Sequence, residues 1–158
     1  MSYENLRGML AKARAGGYAV GAFNCVDYVT TAAIIKAAAG KSAPVIVQTS
    51  PKTVKTYGFA AIVNWVKPLA EAVSVPVALH LDHCKELEMI RKCIDAGWSS
   101  VMIDASAQPY ETNVAMTAEA VRAAAARDVT VEGELGMIPG VEDDLSVQDR
   151  ASYLADPA

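Results

Sequence analysis

The 158-residue sequence lacks the features that mark several classes of protein. It has no excess of basic residues, since 14 lysines and arginines stand against 18 acidic residues, and aromatic residues make up only 6%. A nucleic-acid-binding protein would show a basic patch interleaved with aromatic side chains, so no nucleic-acid partner is expected. No apolar run is long enough to cross a bilayer, and the first 17 residues lack the apolar core of a signal peptide. We therefore expect a cytoplasmic protein that has no membrane partner.

Cysteine is also scarce. The three cysteines, Cys25, Cys84 and Cys93, are odd in number and lack the spacing of a metal site. Reduced thiols are therefore expected rather than a disulfide framework. Cys84 directly follows His83, but we expect a small buried side chain there rather than a ligand or a nucleophile.

The sequence contains two histidines, and both lie in the stretch VPVALHLDHC, residues 75–84. The valine, alanine and leucine run opened by Pro76 predicts a strand buried on both faces, as parallel strands are. Its polar residues, His80, Asp82 and His83, lie at the carboxyl end, where α/β folds place their functional side chains. A carboxylate flanked by two imidazoles indicates metal binding or proton transfer, and a pair of hydrogen-bonded core histidines is the alternative.

Strand and helix patterns alternate along the whole chain. Strands are predicted over 18–24, 43–50, 76–83, 99–106 and 129–136. Helices are predicted over 4–16, 29–40, 57–73, 85–97 and 111–127. Gly40 and Gly97 should follow the ends of their helices, and Pro68 should kink its helix or begin a new one. Repeated strand–helix units of this kind form right-handed βαβ crossovers and a parallel sheet.

Two parallel architectures fit this pattern. A doubly wound five-stranded sheet fits the length, whereas a closed eight-stranded barrel typically needs about 250 residues. However, residues 144–158 predict a loop and the first turns of a helix, and the leading helix would cap the amino-terminal mouth of a barrel. We therefore predict an α/β fold of the TIM (β/α)8 barrel family. Residues 1–158 would form a single partial domain with about five parallel strands, and the C-terminal strands would be missing.

Polar residues recur at the predicted carboxyl ends of the strands, which converge on one mouth in a barrel. They are Asn24, Ser50, His80, Asp82, His83, Asp104, Ser106, Glu132 and Glu134. Taken singly, Asn24 and Ser50 are typical of turns, and an Asp104–Ser106 pair is typical of a helix cap. Within VEGELG, residues 132 and 134 should share one face of a strand. The following segment MIPGVEDDL, residues 137–145, is predicted to be an acidic, glycine-containing loop.

Three motifs together resemble a known family. HLDHC, SSVMIDAS and VEGELGMIPGVEDD, in this order and at these separations, resemble the class II, metal-dependent ketose-bisphosphate aldolases. The spacing, which leaves little room for insertions, is most similar to the tagatose-bisphosphate and compact fructose-bisphosphate branch. Pro139 stands where the family usually has glycine, which would stiffen or redirect the loop after ELG. The likeness begins at residue 22 and ends where the family would be a little past its midpoint.

The resemblance implies a divalent metal site, with zinc as the expected ion or another divalent cation in its place. His83 corresponds to the first zinc ligand, and Asp104 and Glu134 correspond to acidic positions near the metal. A catalytic zinc needs three protein ligands around an open position, and the family's other two histidine ligands have no counterpart among these residues. His80 is expected to orient Asp82 or its neighbours rather than to bind metal.

The resemblance also implies roles in proton transfer and substrate binding. Asp82 corresponds to the acid/base acting on the hydroxyl at the cleavage site, and Glu142 to the carboxylate that exchanges a proton with the three-carbon ketone. Asn24 and Ser50 match substrate-contacting positions. The implied activity is reversible cleavage of a ketose 1,6-bisphosphate, fructose or tagatose, to dihydroxyacetone phosphate and glyceraldehyde 3-phosphate. A phosphorylated sugar would be the partner, and a homo-oligomer is expected.

Two hypotheses of different kinds stand together, with a weaker third. The chain would be an incomplete copy of an aldolase, and inactive in isolation, because part of the metal site and the phosphate loops are missing from these residues. Alternatively, it would be a non-catalytic half-barrel that pairs its open edge strands with another chain. A cation-binding module without catalysis is the weaker third hypothesis.

Overall fold

Five parallel strands form one sheet at the centre of the fold. The computed structural model describes residues 2–136, the backbone of 140–142 and 145–147, and residue 155. The strands are β1 (Gly21–Asn24), β2 (Val45–Thr49), β3 (Val77–Cys84), β4 (Ser100–Ile103) and β5 (Thr130–Gly133). They are hydrogen-bonded in the order β1-β2-β3-β4-β5. This sequential order confirms the barrel-type sheet and excludes the doubly wound alternative, in which the order reverses around the first strand.

Six helices precede or connect these strands in the described residues. They are α1 (Leu6–Gly16), α2 (Tyr28–Gly40), α3 (Pro51–Tyr57), α4 (Phe59–Glu71), α5 (Leu87–Ala96) and α6 (Tyr110–Ala125). The helix predicted over 57–73 corresponds to α4, whereas the short helix α3, which begins directly after its cap Ser50, was not predicted. The helical conformation is interrupted at Gly58, whose φ is +82°. Pro68 lies inside α4 rather than at the start of a new helix.

The two predicted glycine caps have different outcomes. Gly97 follows α5 with φ +110°, the left-handed conformation that glycine adopts without steric cost. Gly40 is instead the last residue of α2, and Lys41 caps that helix in a right-handed conformation. The turn after α2 places its left-handed residue at Ser42, whose φ is +52°.

The two faces of the sheet have different chemistry. One face packs under the helices through a continuous apolar core that includes Val47, Leu79, Leu81, Val101 and Ile103. The other face, the polar face, carries Gln48 on β2, His80 on β3 and Ser100 on β4 at paired positions, and Glu132 on β5. At its amino-terminal end the polar face is covered by Leu6 and Met9 of α1, which contact Ile46 and Ala78. This is the end that the predicted leading helix was expected to cap.

The segment after β5 differs from the prediction of a loop. A two-stranded antiparallel sheet forms between β6 (Gly140–Glu142) and β7 (Leu145–Val147). In this sheet Gly140 pairs with Val147 and Glu142 pairs with Leu145. The helical turns predicted near the end of the chain, after Val147, lie outside the described residues. No helix of the described part of the chain is long and apolar enough to span a membrane.

Candidate active site

An irregularity in β3 shapes the site. Leu81 pairs with Val101, but the next pair is Cys84 with Ile103, so β3 carries one more residue than β4 here. His83 absorbs this β-bulge with φ +47°, a left-handed conformation that is costly for a residue with a Cβ. In a regular strand Asp82 and His83 would point to opposite faces. Here Asp82 Oδ1 lies 3.9 Å from His83 Nε2, so both side chains reach the same mouth.

His83 stands among three carboxylates. Its Nδ1 atom lies 3.7 Å from Asp104 Oδ2, which follows β4, and 3.6 Å from Glu134 Oε2, which follows β5. Asp82 lies on the Nε2 side of the same ring. The structure thus brings together four of the residues that the sequence analysis selected, from the ends of three neighbouring strands.

Hydrogen bonds fix the Asp104 carboxylate. Its Oδ1 atom accepts from the Ser106 backbone N–H at 3.1 Å and from the Ser106 hydroxyl at 2.6 Å, so Oδ2 is left facing His83. Burial raises the pKa of Asp104, but the Ser106 hydrogen bonds and the nearby Lys85 and His83 outweigh it and hold the pKa below its ordinary value. Asp104 is therefore an anion at neutral pH. The pair does not cap α6, whose N-cap position is Pro109.

Glu134 is held through its backbone. Asn113 of α6 is buried and donates from Nδ2 to the Glu134 carbonyl oxygen at 2.7 Å, and Thr117 donates to Asn113 Oδ1 at 3.2 Å. Glu134 lies just beyond β5, so the expected sharing of a strand face with Glu132 does not apply. Glu132 instead faces His80, at 3.6 Å, whereas Glu134 faces His83.

The donor set fits a divalent cation. His83, Asp104 and Glu134 each offer one ligand atom, and the three atoms lie within 4.8 Å of one another. Zinc ligands lie about 2.0–2.2 Å from the metal, so two ligands of one ion are at most about 4.4 Å apart. The two distances from His83 Nδ1 fall within this limit. One imidazole with two carboxylates suits zinc and also harder cations such as manganese.

His80 lies outside this cluster, on the polar face of the sheet. Its side chain is 3% exposed, and its Nδ1 lies 2.8 Å from the Ser100 hydroxyl. Burial lowers the pKa of His80 to about 4, with a smaller contribution from the charge of His83, so the ring is neutral at pH 7. The expectation that His80 orients a neighbour gains a specific contact here, namely Glu132.

The remaining predicted site residues are less constrained. Ser50 caps α3 by accepting from the Thr53 backbone N–H at 3.4 Å, and Asn24 ends β1 in an exposed position. Their predicted substrate contacts remain predictions. Glu142 ends β6, and its side chain lies outside the described residues. Cys84 is fully buried, as expected, and burial raises the pKa of its thiol.

Sequence reasoning missed the residues that support the site. Ser100 was visible only as part of a strand, and Asn113 only as a polar residue within an alanine-rich helix. The available signal was an asparagine within such a helix; its burial, which requires a hydrogen-bond partner for the amide, is seen only in the structure. The partner itself, a carbonyl 21 residues away, could not be inferred from local pattern.

Comparison with known proteins shows similarity to one family. The family model "Fructose-bisphosphate aldolase class-II" matches residues 4–158. A fructose-bisphosphate aldolase of Geobacillus stearothermophilus is 46% identical over 148 residues, which are 92% of this chain and 52% of that protein. A 6-phospho-5-dehydro-2-deoxy-D-gluconate aldolase of Halalkalibacterium halodurans is 45% identical over 148 residues, or 92% of this chain and 51% of that protein. The chain thus spans about half the length of these curated relatives.

Solved structures show the same fold. A putative fructose-1,6-bisphosphate aldolase from Coccidioides immitis superposes with a TM-score of 0.80 at 34% identity, over 90% of this chain and 49% of that one. The YdjI aldolase from Escherichia coli K12 gives a TM-score of 0.80 at 30% identity, over 85% and 51%. These neighbours are class II aldolases, which are TIM barrels, so the five described parallel strands are consecutive strands of that barrel. The chain belongs to the class II fructose-bisphosphate aldolase family.

Proposed function

We propose that this chain carries the metal-binding and proton-transfer residues of a zinc-dependent cytoplasmic aldolase acting on a phosphorylated ketose. The observation that carries the proposal is the arrangement around His83. One imidazole stands against Asp104 and Glu134 on one side and Asp82 on the other, at the mouth where parallel strands end.

His83, Asp104 and Glu134 would hold the cation. Asp104 is already an anion whose other oxygen is fixed by Ser106, so its free oxygen needs no rearrangement to face a ligand. When bound, a divalent cation would stabilise negative charge developing on the ketone fragment, an effect that is typically several kcal/mol. The choice of zinc follows the family, since the donor set alone also accepts other divalent cations.

Asp82 would act on the substrate. It accepts the proton of the hydroxyl group on C4, the C4–O bond becomes a carbonyl, and the C3–C4 bond breaks with its electron pair moving into the ketone. Glu142 then returns a proton to C3 of the three-carbon fragment. In this proposal Asp82 is suited to its role because it is 21% exposed and borders the metal cluster without belonging to it.

The substrate class is a phosphorylated ketose, proposed as fructose or tagatose 1,6-bisphosphate. The two relatives above are named for different sugar phosphates although their identities to this chain are nearly equal. Overall similarity therefore does not select one sugar. Asn24 and Ser50 would contact the substrate at the ends of β1 and β2.

Metal titration tests the cation site directly. We expect the purified chain to bind Zn²⁺ with one-to-one stoichiometry in isothermal titration calorimetry, and His83→Ala to lose binding at least tenfold. Asp95→Asn is the matched control, since Asp95 is an exposed carboxylate paired with Arg127, and it should bind as the parent does. Unchanged binding in His83→Ala would refute the assignment of this cluster.

A non-catalytic half-barrel that pairs with another chain is the second candidate. Exposed apolar side chains favour it, because Phe23 on β1 and Val29 on α2 flank one edge of the sheet, and Val121 and Leu135 flank the other. Light scattering coupled to size exclusion would show a dimer that Phe23→Ser with Leu135→Ser converts to a monomer. A monomeric parent chain would count against this candidate.

A further inference from the structure

A line of three side chains crosses the polar face of the sheet beside the metal cluster. Ser100 on β4 lies 2.8 Å from Nδ1 of His80 on β3, and Nε2 of the same ring lies 3.6 Å from Glu132 Oε2 on β5. Ser100 is fully buried and His80 nearly so, whereas the side chain of Glu132 is half-exposed at the mouth. The line therefore runs from the interior to the site.

The hydrogen-bonding capacity of the three groups indicates which nitrogen of His80 carries the proton. A neutral imidazole has one N–H donor and one acceptor nitrogen, and a carboxylate only accepts. The Glu132 carboxylate oxygen, 3.6 Å from Nε2, attracts an N–H and repels a lone pair, so it favours the proton on Nε2, and Nδ1 then accepts from the Ser100 hydroxyl. In the opposite tautomer Nδ1–H could still donate to the Ser100 hydroxyl, but the Nε2 lone pair would face the carboxylate and repel it.

We propose that His80 is a positioning residue: the Ser100 hydroxyl holds its ring in place, the ring takes the Nε2–H tautomer, and this N–H orients the Glu132 carboxylate at the mouth. The same tautomer leaves neither ring nitrogen available to a metal, because Nδ1 accepts from Ser100 and Nε2 carries a proton. A role of Glu132 in binding a sugar substrate rests on the proposed function, whereas the tautomer of His80 does not.

Two-bond ¹H–¹⁵N correlation spectra of the whole chain test this proposal, because they distinguish the two neutral tautomers of each histidine. We expect His80 to show one protonated Nε2 and one acceptor Nδ1, both before and after addition of Zn²⁺. Glu132→Leu should mix the two tautomers, whereas Ser100→Thr, which keeps the hydroxyl, should retain the single form. Amide spectra of each variant establish that it is folded, and the His83 signals provide an internal reference.

The outcomes separate this proposal from the proposed function. A His80 ring in the Nδ1–H form, an unchanged tautomer in folded Glu132→Leu, or direct zinc coordination by His80 would each overturn the positioning role. Failure of the chain to bind Zn²⁺ would count against the aldolase site. A single Nε2–H tautomer of His80 in the same sample would still support the proposed arrangement of Ser100, His80 and Glu132.

Discussion

At the scale of single residues, the backbone of His83 carries a cost that its function would explain. A left-handed conformation is unfavourable by roughly 1–2 kcal/mol for residues with a Cβ, and the cost is absent for glycine. Both His83→Gly and His83→Ala remove the imidazole, so their difference isolates the backbone. We expect the glycine variant to have a free energy of unfolding about 1 kcal/mol higher than the alanine variant, measured by urea denaturation. Equal free energies of unfolding for the two variants would contradict the proposed backbone strain at His83.

His80 makes a separate contribution that depends on pH. Its pKa is about 4 in the folded chain, below the ordinary value of 6.5. The unfolded chain therefore binds this proton first, so the stability is fully present above pH 6.5 and is lost as the pH falls through 4. We expect a loss of up to about 3 kcal/mol across this window. His80→Gln, which cannot titrate, should lose less stability over the same range, and the difference between the two urea-denaturation profiles is the measurement.

At the scale of elements, Gly58 determines the break between α3 and α4. Its φ of +82° and ψ of 159° belong to a region that is essentially reserved for glycine. A Cβ at Gly58 would meet no atom within 4 Å, so any cost of Gly58→Ala is conformational rather than steric.

Gly40 provides the matched control for this test, since it lies in α2 and its Cβ would also meet nothing within 4 Å. We expect Gly58→Ala to lose about 1–3 kcal/mol of stability, and Gly40→Ala to be neutral or slightly stabilising. Thermal unfolding of the two variants beside the parent chain measures both. A similar effect of the two substitutions would refute the argument.

Asn113 links the packing of α6 against β5 to the metal cluster, because its side chain holds the backbone of Glu134. Asn113→Ala removes the donor to the Glu134 carbonyl, so the backbone that positions the Glu134 carboxylate loses this hydrogen bond. Partners of this kind typically affect metal affinity by about 10–100-fold. We expect zinc binding to weaken by about tenfold in calorimetry. Thr117→Val, which removes only the bond to the Asn113 side chain, should have a smaller effect.

Prediction from sequence succeeded for features that repeat and failed for those set by one residue. The strand order followed from alternating patterns, and the mouth followed from polar residues at strand ends. The β-bulge at His83 produces no periodic pattern in the sequence, because it depends on the φ of one residue. The start of α3 was available from Ser50 followed by Pro51, a typical N-cap and first-turn pair, but this helix was not predicted. The contact between His80 and Ser100 depends on strand register, which sequence alone did not supply.

At the scale of the whole molecule, the histidine content limits what the chain does by itself. The sequence has two histidines, and the proposed line of Ser100, His80 and Glu132 engages one of them. His83 is then the one imidazole for the metal, with carboxylates completing the set. Carboxylates allow a cation to bind, but metal affinity also depends on how completely the ligands surround the ion, because water competes for the open positions.

We therefore expect the purified 158-residue chain to bind zinc weakly and to cleave fructose or tagatose 1,6-bisphosphate slowly, although Asp82 and Glu142 are both present. Holding the substrate in reactive geometry can account for about 7–11 kcal/mol of a barrier, and the resemblance implies that the family's phosphate loops belong to strands later than the five described here. A coupled assay for glyceraldehyde 3-phosphate, with the full-length Geobacillus stearothermophilus relative as the positive control, measures this. Turnover at least about a thousandfold below that control is expected from the same argument about orientation. Zinc-dependent cleavage at rates close to the control, abolished by Asp82→Ala, would show that these residues suffice for catalysis and would refute the prediction.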